Sequence, residues 1–269
     1  MFIEMFEEDM TPSAAWKRHR SKIQEKNPDD YHILMGDRLV CPDYFWVFNF
    51  YRKWIIDKLG TFDGVDAYQK IVEFINHYNE QKSEEEKTSE SFAKVAQTED
   101  GETCIAICDP FQRRVHKIIP QAGDIMIMDA TSNLDRSDTK VFHLMCPSSA
   151  GGLPLATLVT TREDWKTIKF GLDLIKTILP DYAFFGRGPE VGPILVITDD
   201  SDSEIKALRL TWSQAIHLLC QFHILQAHWQ WLWASKHKIE KDDRTVLLRM
   251  FRKVVYSETT EAFERQKMN

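Results

Sequence analysis

The stretch that most restricts the fold of this chain is residues 193–233, PILVITDDSDSEIKALRLTWSQAIHLLCQFHILQAHWQWLW. Its first apolar run, Ile194–Ile197, lies between Gly-Pro and a group of acids, which is typical of a fully buried strand. The run leads directly into Thr198-Asp199-Asp200, and a helical pattern begins at Ser203. A second apolar run, Ile216–Leu219, predicts another buried strand. Because α/β sheets gather their chemistry at the carboxyl ends of strands, the acids stand where a metal or a phosphate would be handled.

The segments upstream predict the rest of a sheet. A hairpin is expected over residues 92–108, followed by a short helix. Apolar runs at 125–128, 141–146 and 155–160 are joined by short turns, which predicts an antiparallel meander. A helix at 161–179 then leads to the strand described above. This order predicts an α/β (α+β) fold, with a mixed sheet and helices on its faces.

A second acid, Asp129, ends the first strand of the meander, 70 residues before Asp199 (199 − 129). The predicted topology pairs these two strands in parallel at the centre of the sheet. Two carboxylates there would suit Mg²⁺ or Mn²⁺, and such ions support phosphodiester transfer. The alternative is local: Asp129 caps a turn with Thr131, or Asp199 caps the following helix.

Cys220 and His223 form a CxxH unit after the last predicted strand. The pair would make half of a zinc site, with His228 and His237 as additional ligands. A structural role is favoured, in which the unit fixes the start of the last helix against the acids. The apolar spacing in that helix, at 222, 225, 229, 232 and 233, favours core packing over a platform for stacking nucleobases.

The charge of the chain limits its binding surfaces. With 34 basic and 41 acidic residues, the net charge of −7 argues against a generally basic nucleic-acid surface, although a local basic groove would suffice. Arg113, Arg114 and Lys117 are candidate contacts to a DNA backbone, and a solvated helix face is the alternative.

The N-terminus lacks the features of a signal peptide, and no apolar run is long enough to span a membrane. Five cysteines without a CxxC pair are typical of free thiols in an intracellular protein.

The pattern divides the chain into four parts. Residues 1–80 are a helical region, either a helix-turn-helix or helices that brace the next domain. Residues 81–90 are polar and are interpreted as a linker or a frayed helix end. Residues 91–237 form the sheet domain, and residues 238–269 are helical.

Four motifs in fixed order resemble the core of Mutator-like element (MULE) transposases. They are DIMIMDATSNLD, HLMCPSSAGGLPLATLVTT, ILVITDDSDSEIKAL and LLCQFHILQAHWQWLW. The resemblance covers about residues 90–240, and the helical stretch at 11–60 is similar to the region that precedes the family's core. It implies an RNase H-like fold with a metal-binding DDE triad and a C/DxxH motif.

Position by position, the resemblance implies that Asp129 and Asp199 are the first two triad acids and that Cys220 and His223 are the C/DxxH pair. The third acid is not identified, because Glu258, Glu261 and Glu264 lack a matching context. Residues 238–269 would be the start of a helical insertion that is truncated, and the family's zinc-binding DNA-recognition domain is absent. The chain is therefore interpreted as a fragment or as a decayed or domesticated copy.

The resemblance further implies Mg²⁺ or Mn²⁺ as cofactor, transposon ends and target DNA as partners, a nuclear location, and a homo-oligomer if the chain is active. Two functions follow. One is metal-dependent DNA strand cleavage and transfer in cut-and-paste transposition. The other is a catalytically inactive remnant that binds DNA or a protein.

Overall fold

The computed structural model describes residues 1–8, 10–59, 65–88, 90–131 and 139–267. The chain divides into two compact units, Met1–Glu73 and Phe74–Asn269. Within the described ranges, no helix combines the length and the apolar character needed to cross a membrane.

The first unit is helical, as predicted. Its helices are α1 (Phe2–Glu7), α2 (Pro12–Lys26), α3 (Tyr31–Gly36), α4 (Tyr44–Leu59) and the first part of α5 (Val65–Glu86). The Thr11 side chain accepts a hydrogen bond from the backbone N–H of Ala14 and thereby caps α2. A small core joins α1, α2 and α4 through Phe2, Met5, Phe6, Ala15 and Val47.

The division between the units falls inside α5 rather than in the polar stretch 81–90. Helix α5 continues to Glu86, so most of the predicted linker is its last turns, in keeping with the alternative of a helix end. Asn79 then ties this helix to the following strand, because its side chain accepts hydrogen bonds from the backbone N–H groups of Phe92 and Ala93.

The second unit contains a seven-stranded mixed sheet in the order β1-β2-β5-β4-β3-β6-β7. The strands are β1 (Ala93–Gln97), β2 (Thr103–Ile107), β3 (Ile125–Thr131), β4 (Lys140–Ser148), β5 (Gly151–Thr160), β6 (Leu195–Thr198) and β7 (Ile216–Leu219). Neighbours from β1 to β3 pair antiparallel, whereas β3–β6 and β6–β7 pair in parallel. The predicted mixed α/β sheet with flanking helices is therefore confirmed.

One face of the sheet carries the main core. Alternate residues of the central strands are fully buried there, including Met126, Phe142, Leu158 and Val196. Helix α8 (Trp165–Lys176) packs on β2 and β5, and α10 (Asp202–Thr211) packs on α8. Short helices α6 (Pro110–Ile118), α7 (Gln121–Asp124) and α9 (Ala183–Gly186) complete this layer.

The opposite face is more open than the sequence pattern indicates. Ile216, Leu218 and Leu219 of β7 are between 40 and 57% exposed, so the prediction of a fully buried strand is wrong for β7. β7 is the last strand of the sheet, so its apolar run belongs to an edge strand. After β7 come α11 (Gln221–Trp233), a short 3-10 helix (Ser235–His237), α12 (Lys241–Val255) and α13 (Thr260–Lys267).

Candidate active site

Asp129 and Asp199 occupy matching positions on neighbouring parallel strands. Strands β3 and β6 pair with Ile127 level with Ile197, so two residues further on Asp129 is level with Asp199. Adjacent strands lie about 4.8 Å apart, so Asp129 in β3 and Asp199, the first residue after β6, are neighbours at the same edge of the sheet. The predicted parallel pairing is confirmed.

The local alternatives for both acids are wrong. Asp129 lies within β3 opposite His143 of β4, so it is a strand residue and not the cap of a turn. Helix α10 is capped by Ser201, whose hydroxyl accepts a hydrogen bond from the backbone N–H of Glu204. Asp199 instead accepts a hydrogen bond from the N–H of Ser201 at 3.0 Å, which orients its carboxylate at the end of β6.

The CxxH unit reaches the first of these acids. The backbone N–H of Cys220 donates to the carbonyl of Thr198 at 2.7 Å, which ties the start of α11 to the end of β6. His223 lies on the first turn of α11, and its Nε2 is 3.8 Å from Oδ1 of Asp129. The pair is an ion pair when the imidazole is protonated, and at this distance it is not a direct hydrogen bond.

Glu204 is a third carboxylate near the acids, and the sequence reasoning missed it. Its side chain is 1% exposed, and Thr198 donates its hydroxyl to Oε2 at 2.5 Å. Burial, together with the charges of Asp199, Glu163 and Asp129, raises the pKa of Glu204 to about 7, although the Thr198 hydrogen bond acts in the opposite direction. The other oxygen, Oε1, is buried without a hydrogen-bond partner in the described part of the chain.

The sequence did contain a signal for Glu204. Ser201 and Glu204 have the S-x-x-E spacing of a capping box, which predicts a glutamate folded back onto the start of its helix. Here Ser201 caps the helix as that pattern expects, but the Glu204 carboxylate turns to the sheet and bonds Thr198. The residue is therefore buried beside the acids rather than exposed at the helix end.

A groove of about 600 Å³ opens beside the CxxH unit. Its lining residues come from the end of β6, from β7, α11 and α12: Asp200, Leu219, Cys220, His223, Ile224, Ala227, His228, Trp231 and Phe251. The prediction that the apolar positions of α11 pack in the core is largely wrong. Only Leu232 of this helix is buried, whereas Phe222 and Trp233 are 64 and 48% exposed. Helix α11 packs mainly on α12.

The three candidate contacts to a DNA backbone differ in placement. Arg113 is only 6% exposed. Its guanidinium pairs with Glu90 and donates hydrogen bonds to the carbonyls of Ser91 and Ile178, so it is not free to contact a DNA backbone. Arg114 and Lys117 lie on the exposed side of α6.

The described residues do not form a metal site with three or more protein ligands. Among residues 1–8, 10–59, 65–88, 90–131 and 139–267, no group of three or more His, Cys, Asp or Glu side chains is placed to hold a metal ion. The proposed zinc ligands His228 and His237 stack on aromatic rings. Glu258, Glu261 and Glu264 are exposed, in or beside α13.

No family model and no curated protein matches this chain.

Proposed function

We propose that this protein is derived from a MULE-type transposase and that its sheet is an RNase H-like catalytic core for metal-dependent cleavage and transfer of DNA strands. One observation carries the proposal. Asp129 of β3 and Asp199, directly after β6, each follow the paired residues Ile127 and Ile197 by two positions on adjacent parallel strands, and His223 of the CxxH unit lies 3.8 Å from Asp129.

The strand arrangement supports the RNase H-like assignment. Strands β5, β4 and β3 form an antiparallel meander, and β6 and β7 extend it in parallel with β3. This is the arrangement that the resemblance implies, with β1 and β2 added at the far edge. The two acids follow at the positions that the resemblance assigns to the first and second members of the triad.

The donor set fits a magnesium or manganese ion. Carboxylate oxygens are the ligands these ions prefer, and Mg²⁺ is commonly held by one or two carboxylates with water in its remaining positions. Asp129 and Asp199 would hold the ion, which when bound supplies an activated water or hydroxyl and stabilises the leaving oxygen. His223 would orient the Asp129 carboxylate, and the hydrogen bond from Ser201 would orient Asp199.

A second candidate function is a catalytically inactive module that binds DNA or a protein partner. It is favoured because no third acid in the described part of the chain is placed with Asp129 and Asp199 to hold a metal ion, and the nearby Glu204 is bonded to Thr198 instead. In both cases the resemblance points to a nuclear protein. Only the active form would require transposon ends, target DNA and a homo-oligomer.

A plasmid-nicking assay with Mg²⁺ or Mn²⁺ tests the proposal. We expect the wild type to nick supercoiled DNA, EDTA to stop the reaction, and Asp129→Ala to abolish it. Asp181→Ala, which removes an exposed aspartate beside α9, is the matched control and should retain full activity. Equal activity of wild type and Asp129→Ala contradicts the metal role, and DNA binding without nicking by the wild type favours the second candidate.

A further inference from the structure

We propose that Glu204 is a positioning residue: its buried carboxyl holds the turn between β6 and α10 and thereby orients the carboxylate of Asp199. The inference rests on the proposed function for the role of Asp199 as a metal ligand, but not for the arrangement of the turn. Glu204 lies on the first turn of α10, five residues after Asp199 (204 − 199).

The turn is closed by a ring of three hydrogen bonds. The backbone N–H of Ser201 donates to Oδ1 of Asp199 at 3.0 Å, and the N–H of Glu204 donates to the Ser201 hydroxyl at 3.4 Å. The Thr198 hydroxyl then donates to Oε2 of Glu204 at 2.5 Å. Because Thr198 directly precedes Asp199 in the chain, the ring returns to the residue at which it began. Hydrogen bonds connected in this way support one another, so the direction of the Asp199 carboxylate depends on the whole ring.

The bond between Thr198 and Glu204 is the member of the ring that water cannot replace. Both side chains are only 1% exposed, whereas Asp199 and Ser201 are half-buried. A hydrogen bond lost at the surface is replaced by one to water, but a bond lost in the interior leaves its donor or acceptor unpaired. The buried bond therefore ties the first turn of α10 to the end of β6, and the two outer bonds depend on it.

The buried carboxyl of Glu204 is a costly way to fill this position. Its Oε1 has no hydrogen-bond partner among the residues that the structure describes, and burial is the main cause that raises its pKa to about 7. A leucine of similar size would avoid both costs. An acid that weakens the fold and lies beside other acids is typical of a functional site. The orientation of Asp199 gives the reason for a hydrogen-bond acceptor here.

Mn²⁺ titrations followed by electron paramagnetic resonance test the inference on paired variants of the two buried residues. They are made at pH 6, below the pKa of Glu204, so that replacing its carboxyl by an amide changes little charge. Glu204→Gln and Thr198→Ser keep the hydrogen bond and should bind Mn²⁺ almost as the wild type does. Glu204→Leu and Thr198→Val keep the size of the side chain but lose the bond, and we expect about 10-fold weaker binding.

Two further proteins separate this effect from a general loss of stability. The double variant Thr198→Val/Glu204→Leu should bind Mn²⁺ no more weakly than either single variant, because all three lack the same bond. Val196→Ala shortens a fully buried residue of β6 outside the ring, so it weakens the core and should leave the Mn²⁺ affinity unchanged. Equal affinity of the wild type, Glu204→Leu and Thr198→Val overturns the inference and leaves the metal role of Asp199 standing.

Hydrogen exchange at the backbone N–H of Ser201, followed by NMR in EDTA, tests the turn without a metal. This amide donates to Asp199, so we expect it to exchange faster in Glu204→Leu and Thr198→Val than in the wild type, Glu204→Gln and Thr198→Ser. A wild type that binds no Mn²⁺ contradicts the proposed function, and the exchange at Ser201 still decides the arrangement of the turn. Unchanged exchange in Glu204→Leu and Thr198→Val overturns the inference.

Discussion

The imidazole Nε2 of His223 lies 3.8 Å from Oδ1 of Asp129, so the CxxH unit lies next to the first acid of the candidate site. The hydrogen bond from the backbone N–H of Cys220 to the carbonyl of Thr198 joins the same unit to the second acid, because Thr198 directly precedes Asp199. A motif after the last strand is thereby connected to both acids, which lie 70 residues apart in the sequence (199 − 129).

His223→Ala should weaken the binding of Mn²⁺ by about 10-fold, because loss of a neighbour that orients a ligand typically costs 10- to 100-fold in metal affinity. The measurement is a Mn²⁺ titration of the purified variant. His77→Ala, which removes an exposed histidine of α5, is the control. An unchanged affinity in His223→Ala would mean that the imidazole does not orient Asp129.

Glu204→Gln should stabilise the protein at alkaline pH. The folded pKa of Glu204 is about 7 against an ordinary value of 4.5, so the folded state keeps a proton that the unfolded state has lost. The stability of the wild type therefore falls as pH rises from 4.5 to 7, and the full penalty, on the order of 3 kcal/mol, remains above pH 7. Glutamine does not titrate, so the variant lacks this loss of stability between pH 4.5 and pH 7.

The measurement is the difference in unfolding free energy between Glu204→Gln and wild type, from urea titrations at pH 5 and pH 8 in EDTA. Comparing the two proteins cancels His116, whose pKa burial lowers to about 4 and whose contribution rises with pH instead. We expect the difference to favour the variant and to grow between the two pH values. A difference independent of pH would show that Glu204 is ionised in the folded state.

Gly192→Ala should destabilise the protein more than Gly101→Ala. Both glycines have positive φ, +71° and +84°, so each alanine costs about 1–2 kcal/mol of backbone strain. An added Cβ at Gly192 would also lie 2.3 Å from the buried indole of Trp212, whereas Gly101 faces open space. We expect a further loss of about 1–3 kcal/mol for Gly192→Ala in urea unfolding. Equal losses would show that the indole moves aside without cost.

Arg113→Met and Arg114→Met should separate stability from DNA binding. Removing the buried guanidinium of Arg113 leaves the carbonyls of Ser91 and Ile178 without their donor, and we expect a loss of about 2–4 kcal/mol. Arg114→Met should leave stability unchanged, because its ion pair with Glu86 is exposed. If Arg114 contacts DNA, Arg114→Met reduces the slope of the logarithm of the DNA-binding constant against the logarithm of salt concentration by about 1. An unchanged slope would show that Arg114 does not contact DNA.

The sequence predicted the sheet because its signals are local. The apolar runs ending at Asp129 and Asp199 have the length and flanks of strands, and the short turn between β4 and β5 favours their antiparallel pairing. The level alignment of the two acids then follows from parallel pairing.

What the sequence did not predict depends on side-chain direction and on packing between helices. Glu204 has a capping-box position but turns to Thr198, and Arg113 belongs to a basic cluster in the sequence yet is buried. The apolar residues of α11 have a helical period that is the same for a core helix and for a helix that lines a groove. Only the position of α12 decides between the two.

The most direct test of the central claim is a Mn²⁺ titration followed by electron paramagnetic resonance on wild type, Asp129→Asn, Asp199→Asn and Asp202→Asn. Asp202 is the exposed control acid at the start of α10. Joint ligation by Asp129 and Asp199 predicts that the wild type and Asp202→Asn bind Mn²⁺ equally, and that each of the other two variants weakens binding by at least about 10-fold. Equal binding by all four proteins would contradict it.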